Sequence, residues 1–216
     1  MEKSAEQLRA EESIDLKDPA LAAFLAWLIP GLGHLYQGRL AKAALFFVCI
    51  MGTFLYGLNL GSSNGVTASG RKIGWGRVVY FSWKENHKRL HYICQVGVGL
   101  PALPAVVQSW RVKRGKPVWW NGFMAPPRFD APDAVPDAND PNGNQPTEDE
   151  LHKELHRYFE LGSVFTMIAG LLNVLAVYDA WGGPVFSAPA KKEEEDEEES
   201  ETEEKEKEKE KEKEEA

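Results

Sequence analysis

"AWLIPGLGHLYQGRLAKAALFF", Ala26 to Phe47, is apolar at both ends and broken in the middle by a proline, three glycines, a histidine and two cations. Apolar flanks of this kind suit the interior of a lipid bilayer, while a proline and several glycines favour a reversal of the chain. The fold turns on whether this stretch joins two membrane-embedded helices.

Upstream, Asp18-Pro19 is a helix start, because Asp accepts from the free amides of the first turn and proline at the first helical position loses no needed hydrogen bond. Ala20 to Ile29 is then apolar on every face. Ten residues reach only about 15 Å, half of the roughly 30 Å hydrocarbon core, and extension to Tyr36 gives the minimum for a crossing. Residues 20–36 are read as a short crossing helix distorted at Pro30, with a re-entrant segment as the alternative. Downstream, Leu40 to Leu60 carries one charge, Lys42, near its start, where the aliphatic stem reaches the headgroups. It is the clearest crossing.

Two more segments follow. Residues 91–110 are long enough to cross but contain Gln95, Gln108, Pro101 and Pro104, which predicts a kinked helix inside a bundle. Residues 161–181 form a second clear crossing that holds Asn173 and Asp179. Polar groups in lipid face the protein interior: Asp179, a turn from Trp181, should reach the interface, and Asn173 should bond to another helix through Gln95 or Gln108. The expected fold class is all-α, a polytopic transmembrane helical protein with about four membrane-embedded segments.

The remaining sequence divides by charge. The net charge of −8 comes from the end of the chain, since residues 191–216 hold 7 Lys against 16 Asp and Glu. Residues 185–216 are read as a disordered charged tail; in Glu-Lys alternation, positions i and i+4 carry like charges, which opposes a helix. Residues 1–18 are a charged flank without the basic start and apolar core of a removable signal peptide. Residues 61–90 bring Trp75, Tyr80 and Trp83 to the interface, with a short surface hairpin as one reading. Four cations in Arg111 to Lys116 precede Trp119 and Trp120. Residues 125–150, rich in Pro, Asp and Asn, are read as a disordered linker that ends in a capping box, Thr147 with Glu150. It is no calcium loop, because the frame with Gly143 at the sixth position starts on Ala138. Cys49 and Cys94 sit in apolar segments as small hydrophobes.

"PGLGHLYQGRLAKA", Pro30 to Ala43, resembles the turn between the paired helices of TM2-type membrane domains and of related bacterial proteins with a Pro-Gly-x-Gly-x-x-Tyr-x-Gly pattern. Gly31, Gly33, His34, Tyr36, Gly38 and Arg39 carry the resemblance. "VGVGLPALPA", Val96 to Ala105, and Phe159 to Pro184 resemble later segments of an uncharacterised multi-span family of planctomycete bacteria. The resemblance implies a bacterial inner membrane and no known activity. Read physically, Pro30, Gly31, Gly33 and Gly38 shape a structural turn, Tyr36 anchors it, and Arg39 and Lys42 face phosphates.

Two histidine pairs, His87 with His91 and His152 with His156, are spaced four apart, but Glu154 matches neither metalloprotease arrangement and cations flank both pairs. They are read as solvated. No nucleophile elbow, phosphate loop or zinc-cysteine set occurs, so no catalytic, cofactor or metal site is expected and nucleic acid is not a predicted partner. The partners expected are the lipid bilayer and other membrane proteins or a second copy. The function expected is a structural or interaction component of the membrane, with a small transporter or channel subunit using Gln95, Asn173 and Asp179 as the alternative. With four crossings, six cations of residues 61–90 fall on one side and the four of 111–116 on the other, and orientation is left open.

Overall fold

A computed structural model describes residues 18–84, 87–129 and 139–182, so the flank before Asp18 and the tail expected at 185–216 lie outside the described residues. Asp18 accepts from the amides of Ala20 and Leu21 and starts helix α1, Pro19–Leu28. The helix ends where Ile29 turns extended and Pro30 has no amide to continue the ladder. Gly31, at φ +83°, then takes a left-handed conformation that glycine adopts without strain.

Helix α2, Leu32–Tyr36, folds straight back on α1. Gly33 lies against it so closely that an added methyl group would be 2.1 Å from the Ala22 carbonyl oxygen. Gly38 makes the second reversal at φ +82°, and α3, Leu40–Leu60, runs away from it. Residues 20–36 are therefore not one continuous helix, as a crossing of that length requires; they form a short helical hairpin. The reason is local: small side chains at Ala22, Ala26 and Gly33 let two short helices pack backbone to backbone.

Helix α7, Arg157–Gly182, is antiparallel to α3. At one end Gly57 packs on Gly162 and Thr166; at the other Lys42 Nζ is 3.6 Å from Asp179. Of the described helices, α3 and α7 are long and apolar enough to cross a membrane, with mean hydropathy 1.9 each.

Residues 91–110 also double back, which corrects the kinked crossing. α4, His91–Gln95, leads into single turns at Val96–Val98 and Leu100–Ala102, and α5, Pro104–Lys113, returns. The Tyr92 hydroxyl donates to the Ala102 carbonyl at 2.8 Å and ties the two arms. Gly99, at φ +87° and ψ −132°, takes the reversal. The two half-length hairpins start from opposite ends of α7 and meet tip to tip: Gly97 abuts Gly170, and Gly99 abuts the Trp27 carbonyl.

The end where α3 finishes carries a cap. It contains two antiparallel ribbons, β1 (Ser63–Val66) with β2 (Lys72–Gly74) and β3 (Trp83–Lys84) with β4 (His87–Lys88), so the chain is mostly helical rather than all-α. Residues 125–129 and 139–150 belong to this cap and correct most of the disordered linker. The Arg128 amide donates to the Pro146 carbonyl, the Glu148 amide to the Arg128 carbonyl, and Asn142 bonds to both Val118 and Lys116. A segment poor in apolar groups is held by backbone hydrogen bonds instead. The capping box of Thr147 and Glu150 opens α6, Glu148–Leu155.

Candidate functional site

Helix α7 carries a polar face buried against the two hairpins. Ser163, Thr166 and Asn173 are at most 1% exposed, while Leu175 and Tyr178 on the other face are 66% and 72% exposed. From Ser163 to Asp179 the face runs about 24 Å at 1.5 Å per residue.

At one end the turn and the last helix meet. His34 is fully buried, its ring 4.7 Å from Phe46, and its Nε2 donates to Asp179 Oδ2 at 2.7 Å. Arg39 and Lys42 each approach the same carboxylate at 3.6 Å, and the Gln37 side chain donates to the Ala180 carbonyl at 2.7 Å. Two groups of residues that the sequence presents separately, the structural turn and Asp179, form one cluster. Asp179 is 38% exposed by its side chain, as its place beside Trp181 suggests. Pro30, Gly31 and Gly33 are buried at the hairpin, Tyr36 is half-buried, and Gly38 faces open space.

At the middle, Asn173 Nδ2 donates to the Ala26 carbonyl at 3.2 Å and the Gly97 carbonyl at 2.9 Å. These bonds replace the expected link to Gln95 or Gln108. A helix that stops leaves its last carbonyls without intrahelical partners, and α1 and the turn after α4 both stop beside Asn173. Gln95 instead donates to Thr166 at 2.8 Å and to the Val78 carbonyl at 3.2 Å. Gln108 donates to the carbonyls of Trp119 and Phe123 and accepts from the Trp119 amide, which anchors the loop after α5. Gln95, Gln108 and Asn173 are thus each bonding partners of broken or irregular backbone, while Asp179 is not.

The cap holds ionic groups that sequence reasoning missed. Glu150 accepts from Ser69, the Thr147 amide and Arg71, the last at 3.1 Å. Burial pushes its carboxyl up, but these hydrogen bonds outweigh it and hold it at about 2. Arg77 is 1% exposed and donates to the carbonyls of Ile73 and Asn121; burial lowers it to about 10. The sequence does not reveal these pairings, since Arg71 meets Glu150 from 79 residues away and Arg77 meets Asn121 from 44 residues away. His87 pairs with Glu148 at 3.4 Å and His152 with Glu160 at 3.3 Å, and among the described residues no three His, Cys, Asp or Glu converge as a metal site.

A family of unknown function, DUF6677, is matched over residues 21–193. No curated protein and no solved structure matches the chain.

Proposed function

We propose, for a chain that belongs to the DUF6677 family, a multi-pass protein of a bacterial inner membrane that serves as a structural or protein-interaction component. Four segments are membrane-embedded: α3 and α7 cross, and residues 20–36 and 91–110 enter from opposite sides and stop half-way. The first hairpin and α3 correspond to the TM2-like turn.

One observation carries this reading, the inversion of polarity. Leu40, Val48 and Leu175 are each 66% exposed, whereas His34, Gln95 and Asn173 are 0% exposed. Water favours the reverse distribution and hydrocarbon favours this one. Irregular backbone at bilayer depth must also be buried in protein or line a cavity, and the hairpin tips are packed on each other and on α7. Their close fit supports a scaffold role: a methyl group on Gly97 would be 2.6 Å from the Gly170 carbonyl oxygen.

The second reading, transport, draws on Asn173 beside the carbonyls of two interrupted helices, an arrangement suited to binding ions at mid-bilayer. Carbonate washing tests the first proposal, which expects the protein in the membrane pellet; recovery in the supernatant would sink both readings. Ion or solute flux in sealed proteoliposomes that is lost in Asn173→Leu would favour transport, and a specific co-purifying membrane protein without flux would favour the scaffold.

A further inference from the structure

We infer that the end of the molecule bearing the cap lies against the anionic, cytoplasmic leaflet, so that the Asp179 end, where α1 starts and α7 finishes, lies outside the cytoplasm. This inference rests on the membrane reading above. It reverses the stalemate of the sequence, where a crossing at residues 91–110 places the cations before and after it on opposite sides.

Because that segment doubles back, the two groups of cations add. The six Lys and Arg of residues 61–90 and the four of Arg111 to Lys116 occupy one end, while Arg39 and Lys42 are the described cations of the other. Lys and Arg in short connections are retained on the cytoplasmic side, and carboxylates contribute little to that bias. Counted within about 15–20 residues of the embedded segments, the flank adds Lys3, Arg9 and Lys17 and the tail adds Lys191 and Lys192, so seven Lys and Arg on that side stand against ten on the side of the cap.

Tryptophans mark the depth of the same surface. Trp110, Trp119 and Trp120 are 53%, 45% and 67% exposed at the base of α5. Arg114 stacks over Trp110 at 3.5 Å and Arg111 over Trp119 at 4.1 Å, so guanidinium groups sit level with rings that favour the headgroup layer. Arg111 also donates twice to the Pro117 carbonyl, fixing the loop that presents Lys116 just beyond Lys113 at the end of α5. Exposed cations held at that depth match lipid phosphates, and each juxtamembrane Lys or Arg favours an anionic leaflet by on the order of five-fold.

Two measurements test this. Alkaline phosphatase and green fluorescent protein are fused separately to Ala216 of the full chain, and fractionation is run on both. Active phosphatase with a dark fluorescent fusion, both in the pellet, is the expected result. A fluorescent fusion in the pellet, or equal signal from the two, would overturn the inference and leave the membrane reading intact; a soluble protein would overturn the membrane reading itself. In vesicles of phosphatidylcholine with or without phosphatidylglycerol, the purified protein should melt higher with the anionic lipid. The Lys113→Gln, Arg114→Gln, Lys116→Gln variant should lose most of that difference. Identical melting of the unsubstituted protein in both vesicles would overturn the lipid contact.

Discussion

Replacing Gly170 by Ala should separate the second hairpin from α7. In the middle of α7 this glycine lets the carbonyl of Cys94 approach, and an added methyl group would sit 1.9 Å from that oxygen. An ordinary carbon–oxygen contact needs roughly 3.3 Å, so the hairpin tip must retreat by about 1.4 Å. That movement would stretch the Asn173 bond to Gly97, now 2.9 Å, beyond hydrogen-bonding range. Overpacking of about 1–3 kcal/mol and a buried amide left short of an acceptor, about 1–3 kcal/mol, give a loss of about 2–6 kcal/mol. Gly52, within α3, is the control: a methyl group there meets nothing within 4 Å, so Gly52→Ala should change stability by less than about 1 kcal/mol. Equilibrium unfolding in mixed detergent micelles measures both variants. Equal stability of Gly170→Ala and Gly52→Ala would refute the tip contact.

Gly33→Val should destabilise the first hairpin by about 2 kcal/mol or more, since its Cβ would lie 2.1 Å from the Ala22 carbonyl oxygen, whereas Gly38→Ala meets open space and should cost about 1 kcal/mol for its positive φ alone. Detergent melting temperatures rank the two. Glu150 titrates lower in the folded chain than in the unfolded one, so its contribution is fully present above pH 4.5 and is lost as the pH falls towards about 2. Unfolding midpoints over that window should fall less steeply in Arg71→Gln, which removes one of the hydrogen bonds that hold the carboxylate ionised. Deleting Lys191 to Ala216 should leave insertion and melting temperature unchanged, as judged by carbonate pelleting and detergent melting.

Much of the helical frame was legible because it is local. The Asp18-Pro19 start, the span Leu40–Leu60 and the Thr147–Glu150 capping box follow from residues next to one another. The half-length hairpins were not, because apolar length alone fits a crossing, and the reversals depend on pairings such as Gly33 with Ala22 and Gly97 with Gly170 that only the folded chain creates. Polar composition similarly concealed the ordered part of residues 125–150, where Arg128, Asn142 and Thr147 are held by backbone partners rather than by apolar burial. Of the candidate site, the polar residues could be named but not their mates: Asn173 serves two backbone carbonyls, and His34 meets a carboxylate 145 residues away.

The proposal that residues 91–110 enter the membrane and turn back is tested most directly by asking whether the two ends of the segment share a side. Single cysteines replace Lys88 or Lys113, with Cys49 and Cys94 changed to Ala, and sealed vesicles of one known orientation are treated with a membrane-impermeant maleimide. Both positions should react from the same side, and a cysteine at Lys42 from the other. Reaction of positions 88 and 113 from opposite sides would contradict the account and restore a full crossing.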